Sequence, residues 1–178
     1  MYRRILLAML LAALAGCTTK PTLRVTAERS ASADFPGYRT YRWRTPPVEP
    51  IPGQPRTGRD LLDWRIRNVV ENQLTAKGYR EDSSRQADLV VECHVDIKEK
   101  HTDSINDFIQ YRESGGQEGP QESYVFGYQE GTIIVEAYDA TTDRLAWRGS
   151  AAPLINPESQ QDKVRQAVMS IMERFPSR

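Results

Sequence analysis

The sequence predicts an α+β fold. Two helices pack on one face of a mainly antiparallel five-stranded sheet, a two-layer sandwich in the order β-β-α-β-β-β-α. Three observations carry this reading. Leu89, Val91, Cys93, Val95 and Ile97 alternate with Val90, Glu92, His94, Asp96 and Lys98, the period of a strand with one buried face. Leu62, Ile66, Val69, Val70 and Leu74 recur at helical spacing, as do Val164, Val168, Ile171, Met172 and Phe175. Short connections join the last three strands, which must therefore run antiparallel.

In chain order, Leu23, Val25 and Ala27 alternate with Arg24, Thr26 and Glu28, a half-buried strand. Ser30 to Gly37 is polar and turn-rich, and Tyr38 to Trp43 is a second strand with Arg39, Tyr41 and Trp43 on one face. Thr45 to Gly58 carries Pro46, Pro47, Pro50, Pro52 and Pro55, which cannot enter a helix interior or a central strand. It is a connector, because neither flank could build a core alone. Thr57 and Asp60 stand where a capping box would start the first helix, and Gly78 with Tyr79 closes it in a Schellman motif. Trp64 points away from that helix's apolar face, either under the proline-rich connector or out toward a partner. Thr102 to Ser123 is the polar tip of a long hairpin, and Tyr124, Phe126 and Tyr128 alternate on its return. Ile133, Val135 and Ala137 mark the next core face, and Asp139 to Asp143 is a hairpin loop. Leu145, Trp147, Gly149 and Ala151 share one face of the last strand. Asn156 is the expected cap of the second helix, with Pro157 in its first turn and Pro176 as its stop.

The amino terminus is of another kind. Arg3 and Arg4 precede an unbroken apolar run from Ile5 to Ala15. As a helix that run would be about 16 Å long, against roughly 30 Å of bilayer hydrocarbon, which suits a cleaved leader rather than a span. It ends in Leu14-Ala15-Gly16-Cys17, which resembles the lipobox of bacterial lipoproteins. The resemblance implies signal-peptidase recognition through Leu14, Ala15 and Gly16, and a thioether-linked diacylglycerol on Cys17. The chain then divides into a leader (1–16), a lipidated cysteine with a short tether (17–22) and one periplasmic domain (23–178). Thr18 stands where an Asp would resemble an inner-membrane retention signal, so the expected location is the periplasmic face of an outer membrane.

Without the leader the chain keeps 22 basic and 24 acidic side chains. A balance so near neutrality excludes the basic footprint of a nucleic-acid binder. With Cys17 acylated, Cys93 has no partner within the chain, so no disulfide framework is expected.

Several motifs combine further on. Ala33-Asp34-Phe35, Tyr38 to Trp43, Lys77-Gly78-Tyr79, Ala87-Asp88-Leu89, Glu130-Gly131-Thr132-Ile133, Asp139-Ala140 and Leu145 to Gly149 stand in an order and spacing that resemble one family. It is the bacterial lipoproteins grouped as domain of unknown function 4136, over about residues 23–175. The resemblance implies this architecture and brings no catalytic residues with it. Each motif also has a structural meaning. Gly78 suits a helix cap and Gly149 a close approach to a helix or a Trp. Asp88 and Asp139 suit turn hydrogen bonds, and Arg148 suits a carboxylate on a neighbouring strand.

The sequence carries little recognisable catalytic chemistry. No Walker loop, HExxH, CxxC or GxSxG is present, so no cofactor or metal is implied. Cys93 and His94 are neighbours on a strand and project from opposite faces, which rules them out as a nucleophile–base pair. His94 and His101 are separated by an odd offset and also fall on opposite faces, and nothing places a base beside Ser150. The leading expectation is a non-catalytic binding or accessory protein of the envelope, held to the membrane by its lipid. Its candidate partner surface is the long hairpin with Tyr124, Phe126 and Tyr128; the alternative is that these aromatics pair across the hairpin and simply stiffen it. A carrier of a lipid or small apolar ligand between helices and sheet, and an enzyme, are the alternatives.

Overall fold

The computed structural model describes residues 23–178 apart from 50, 85 and 103–125. The leader, Cys17, the tether, the hairpin tip and Tyr124 therefore lie outside the described residues.

The strands are β1 (Arg24–Arg29), β2 (Thr40–Trp43), β3 (Arg80–Glu81), β4 (Leu89–Thr102), β5 (Phe126–Asp139) and β6 (Leu145–Ile155). The helices are α1 (Gly58–Ala76) and α2 (Gln161–Glu173). They build an α+β domain with one open sheet of six strands in the order β1-β6-β5-β4-β2-β3. The sequence predicts five strands. The sixth, β3, is only two residues long and too brief to show alternation. β2 is also not antiparallel: it runs parallel to both β3 and β4, with α1 as the crossover between them. β1, β6, β5 and β4 pair antiparallel, which the short turn from Ala140 to Arg144 requires of β5 and β6.

Both helices lie on one face. Leu62, Ile66, Val70 and Leu74 from α1 and Val164, Val168, Ile171 and Met172 from α2 are buried against Leu89, Val91, Ile133, Val135 and Trp147 of the sheet. Gly149 lets α2 come close. A Cβ there would stand 2.4 Å from the Trp147 ring and 2.6 Å from Ile171 Cγ2, inside contact distance.

Two bulges in β6 set which residues reach this core. Between Ala137↔Trp147 and Tyr138↔Leu145, β6 spends one residue more than β5. The extra residue reverses the alternation, so Leu145 lies opposite Tyr138 on the helix-free face and stays exposed, instead of sharing the Trp147 face. A second extra residue between Ala151 and Leu154 returns Leu154 to the core, opposite Gly131.

The helix ends also differ from expectation. Thr57 holds the N-cap position of α1, but its side chain makes no cap bond, and the Asp60 carboxylate pairs with Arg56 at 2.8 Å, so the capping box does not form. The other end is as expected: Gly78 has φ +91° and Tyr79 N donates to Leu74 O at 3.0 Å. Asn156 does not cap α2, which starts five residues later at Gln161. It takes φ +44° and clips the chain to β5 instead, with Gln129 N donating to its Oδ1 and its own N donating to Gln129 O. Asn tolerates the left-handed region well enough to make such a corner.

Candidate functional site

Three surfaces come out of this fold. The first is a cleft of about 250 Å³ under the proline-rich connector, lined by Pro47, Val48, Trp64, Arg67 and Glu71. Trp43, buried at the end of β2, donates from Nε1 to Glu71 Oε1 at 3.0 Å, and the Arg67 guanidinium lies 4.5 Å above its ring. Burial pushes the Glu71 carboxyl up, and the Trp43 bond opposes that shift only in part. Trp64 lines this cleft together with the connector, yet 43% of it remains exposed.

The second surface is the face of the sheet without helices. Arg44, Glu92, Glu136 and Arg148 form a row across it, with Arg44–Glu92 at 3.0 Å and Arg148–Glu136 at 3.5 Å. Glu92 and Glu136 sit directly opposite each other on β4 and β5. Like charges so placed repel, and the flanking arginines compensate. Arg148 thus finds the carboxylate expected of it. Ser150 Oγ lies 2.8 Å from Thr26 Oγ1 on the same face, which gives it a hydroxyl partner and not a base.

The third surface is the arm. β4 pairs with β5 over its whole length, to Thr102↔Phe126, whereas β6 accompanies β5 only as far as Glu130↔Ile155. On its other side β4 has β2 for a neighbour at Leu89–Val91 alone, closed by Arg44 N donating to Val91 O. Val91 therefore turns its backbone groups toward β2. By alternation Cys93, Val95, Ile97, Glu99 and His101 turn theirs the same way, and among the described residues no strand receives them. Tyr128 lies on the return strand, half-buried and opposite Lys100. Phe126 is placed by its backbone, opposite Thr102. Asp96, Lys98, Glu99 and Lys100 are exposed along the stem, and Lys98 Nζ is 3.8 Å from Asp96 Oδ2.

Cys93 lies half-buried against the core, while His94 is exposed on the other face. Burial pushes the Cys93 thiol up to about 12, so it is not a thiolate at neutral pH. No cluster of three or more His, Cys, Asp or Glu able to hold a metal exists among the described residues. None of the described clefts lies between the helices and the sheet, where a carried ligand would sit. One runs between the outer sides of α1 and α2, and another beside the β5–β6 turn.

The profile of the family named domain of unknown function 4136 (DUF4136) matches residues 25–177. The chain belongs to the DUF4136 family. No curated protein matches it. A crystal structure of a PDZ domain protein from Parabacteroides distasonis is similar to this DUF4136 chain with TM-score 0.50 at 12% identity. That match covers 87% of this chain and 36% of the other, so the DUF4136 chain spans little more than a third of that protein's length. A DUF4136 family protein from Bacteroides thetaiotaomicron matches with TM-score 0.44 at 15% identity, over 88% of this chain and 95% of that one. A minor lipoprotein from Acinetobacter baumannii gives TM-score 0.34 at 11% identity, over 78% and 89%. At 12% identity the first of these likenesses is one of fold alone.

The free edge of β4 is what sequence reasoning missed. Alternation shows which way a side chain points but not which strand stands next to it. The early Pro46-Pro47 was the available signal, since it limits how far β2 can accompany β4.

Proposed function

We propose that this DUF4136 protein is a lipid-anchored, non-catalytic accessory protein on the periplasmic face of an outer membrane, and that it works by holding another envelope component. The observation that carries the anchor is position. Cys17 of the lipobox stands six residues ahead of Leu23, where the folded domain begins. Those residues reach at most about 20 Å, so the domain works close to the lipid surface. Among the described residues no helix is long and apolar enough to cross a membrane. Binding rather than chemistry is supported by the Cys93 thiol, held protonated and turned away from His94, and by the long β4 edge whose backbone groups no strand receives among the described residues.

Cys17→Ser should abolish metabolic labelling with a radioactive fatty acid; a variant that still incorporates label sinks the anchor. Thr18→Asp should move the protein from outer- to inner-membrane fractions of a sucrose gradient. Finding the unaltered protein in the inner membrane would overturn the location.

A further inference from the structure

We propose that the free edge of β4 receives the β4 of a second copy, antiparallel and across a twofold axis, in the register that sets Ile97 opposite itself. This deepens the binding role proposed above by naming the occupant of the edge. Three constraints select the register. Only Cys93, Val95, Ile97, Glu99 and His101 turn their backbone groups outward, so these must face one another. β2 occupies the edge as far as Val91, so a partner strand that runs to Thr102 can begin pairing no earlier than Glu92. The tightest register that clears β2 is the one centred on Ile97.

Charge separates that register from the next two. Centred on Ile97, it sets Asp96 of each copy directly opposite Lys98 of the other, twice by symmetry, and His94 opposite Lys100. Sliding by one step sets Lys98 opposite Lys98, and by two steps Lys98 opposite Lys100 and Glu99 opposite Glu99. Cross-strand pairs favour opposite charges and reject like ones. Ile97, a half-buried apolar residue at a rim of charged ones, gains its twin as a neighbour. The odd outward residues supply about ten backbone hydrogen bonds in all, the kind of edge-to-edge pairing by which strands recognise strands.

The test uses the full-length chain, extracted from membranes in detergent, in a Cys93→Ala background. Sedimentation should show a dimer. Ile97→Cys should form a covalent dimer on mild oxidation, because hydrogen-bonded twins stand about 5.5 Å apart at Cα. Glu99→Cys should not, since its twins stand about 13 Å apart along the strands. Lys98→Glu sets two like pairs face to face and should raise the dimer dissociation constant about tenfold. Asp96→Lys combined with Lys98→Glu should restore it. All four positions are solvent-facing or at the rim, and an unchanged thermal midpoint confirms that each variant folds. A monomer at every concentration, crosslinking through Glu99→Cys but not Ile97→Cys, or a double reversal that fails to restore pairing would each overturn the proposal. Fatty-acid label is measured on the same samples. A labelled monomer refutes the dimer and leaves the anchor standing, and an unlabelled dimer does the opposite.

Discussion

The two ends of the sheet are built on different principles. At the end where β2 begins and β5 turns into β6, every chain reversal is tied down. Asp88 Oδ2 accepts from Arg39 N, Thr40 N and Thr40 Oγ1, all within 2.9 Å. Asp139 accepts from Tyr38 Oη, Thr141 N and Thr142 N. Phe175 sits edge-on to Phe35, Tyr79 and Trp147, with centroids 4.9–5.6 Å apart. The arm end carries a paired stem of charged residues and backbone groups that nothing in the described fold claims. One end holds the domain together; the other is the end to which the proposed binding role belongs. Stability and recognition should therefore separate in experiment along the length of β4.

The largest expected effect lies at the tied end. Trp147→Ala empties a site that is 1% exposed and should cost about 4 kcal/mol, measured by urea unfolding. Gly149→Ala drives a methyl group into Trp147 and Ile171 and should cost about 2 kcal/mol. A loss under 0.5 kcal/mol for both would mean that α2 does not dock as described.

Asp88→Ala orphans two backbone donors and the Thr40 hydroxyl and should cost about 2 kcal/mol. The same bonds set a pH dependence. Burial alone would raise the Asp88 and Asp139 carboxyls, but the donors around them outweigh it and hold both below the ordinary range. A depressed folded-state pKa stabilises above the unfolded value of about 4 and is lost as pH falls through the folded value. Tyr38 behaves in reverse. Burial first, then its bond to Asp139, raises it to about 12, so its contribution is complete below about 10 and lost between there and 12. Thermal midpoints of Asp139→Asn should lose part of the acid limb. An acid limb unchanged in both Asp88→Asn and Asp139→Asn would assign it elsewhere.

Cys93 lies at the boundary between the two ends. Cys93→Ala should cost about 1 kcal/mol or less, and a bulky maleimide should react with the folded protein slowly; prompt alkylation would show the thiol open to solvent. The smallest effect belongs to the arm. Replacing Tyr124, Phe126 and Tyr128 together by Ser should leave the midpoint nearly unchanged while in-cell crosslinks from the arm disappear. A drop of several degrees would make these aromatics structural.

What the sequence reveals follows what periodicity can encode. Both helix stripes and the alternation of β4 are local patterns, and each places its residues on the buried face as read. The roles of Gly149, Asp88 and Asp139 were legible because Gly and Asp have few reasons to stand beside a Trp or at a strand end. The bulges were not legible. An extra residue in β6 leaves the local composition unchanged while reversing which side Leu145 faces. Asn156 misled for a related reason: cap and corner call for the same side chain, and only the tertiary partner, Gln129, decides between them. Of the candidate site, the arm was visible as excess length. Its open edge was hidden in the parallel placement of β2, a long-range pairing.

Arg174, just past the end of α2, donates from Nη1 to the carbonyl of Val25 on β1 at 2.7 Å. That contact bears on stoichiometry. β1 is one outer margin of the sheet, and it offers Arg24, Glu28 and Arg29 together with a carbonyl already engaged. β3, the other margin, is two residues long. Neither suits a further strand. Joining two sheets through β4, as proposed, would use up the one long border left vacant among the described residues, so growth by strand pairing would stop at two. A chain concentrated on a membrane by the proposed lipid would then pair without seeding a fibre.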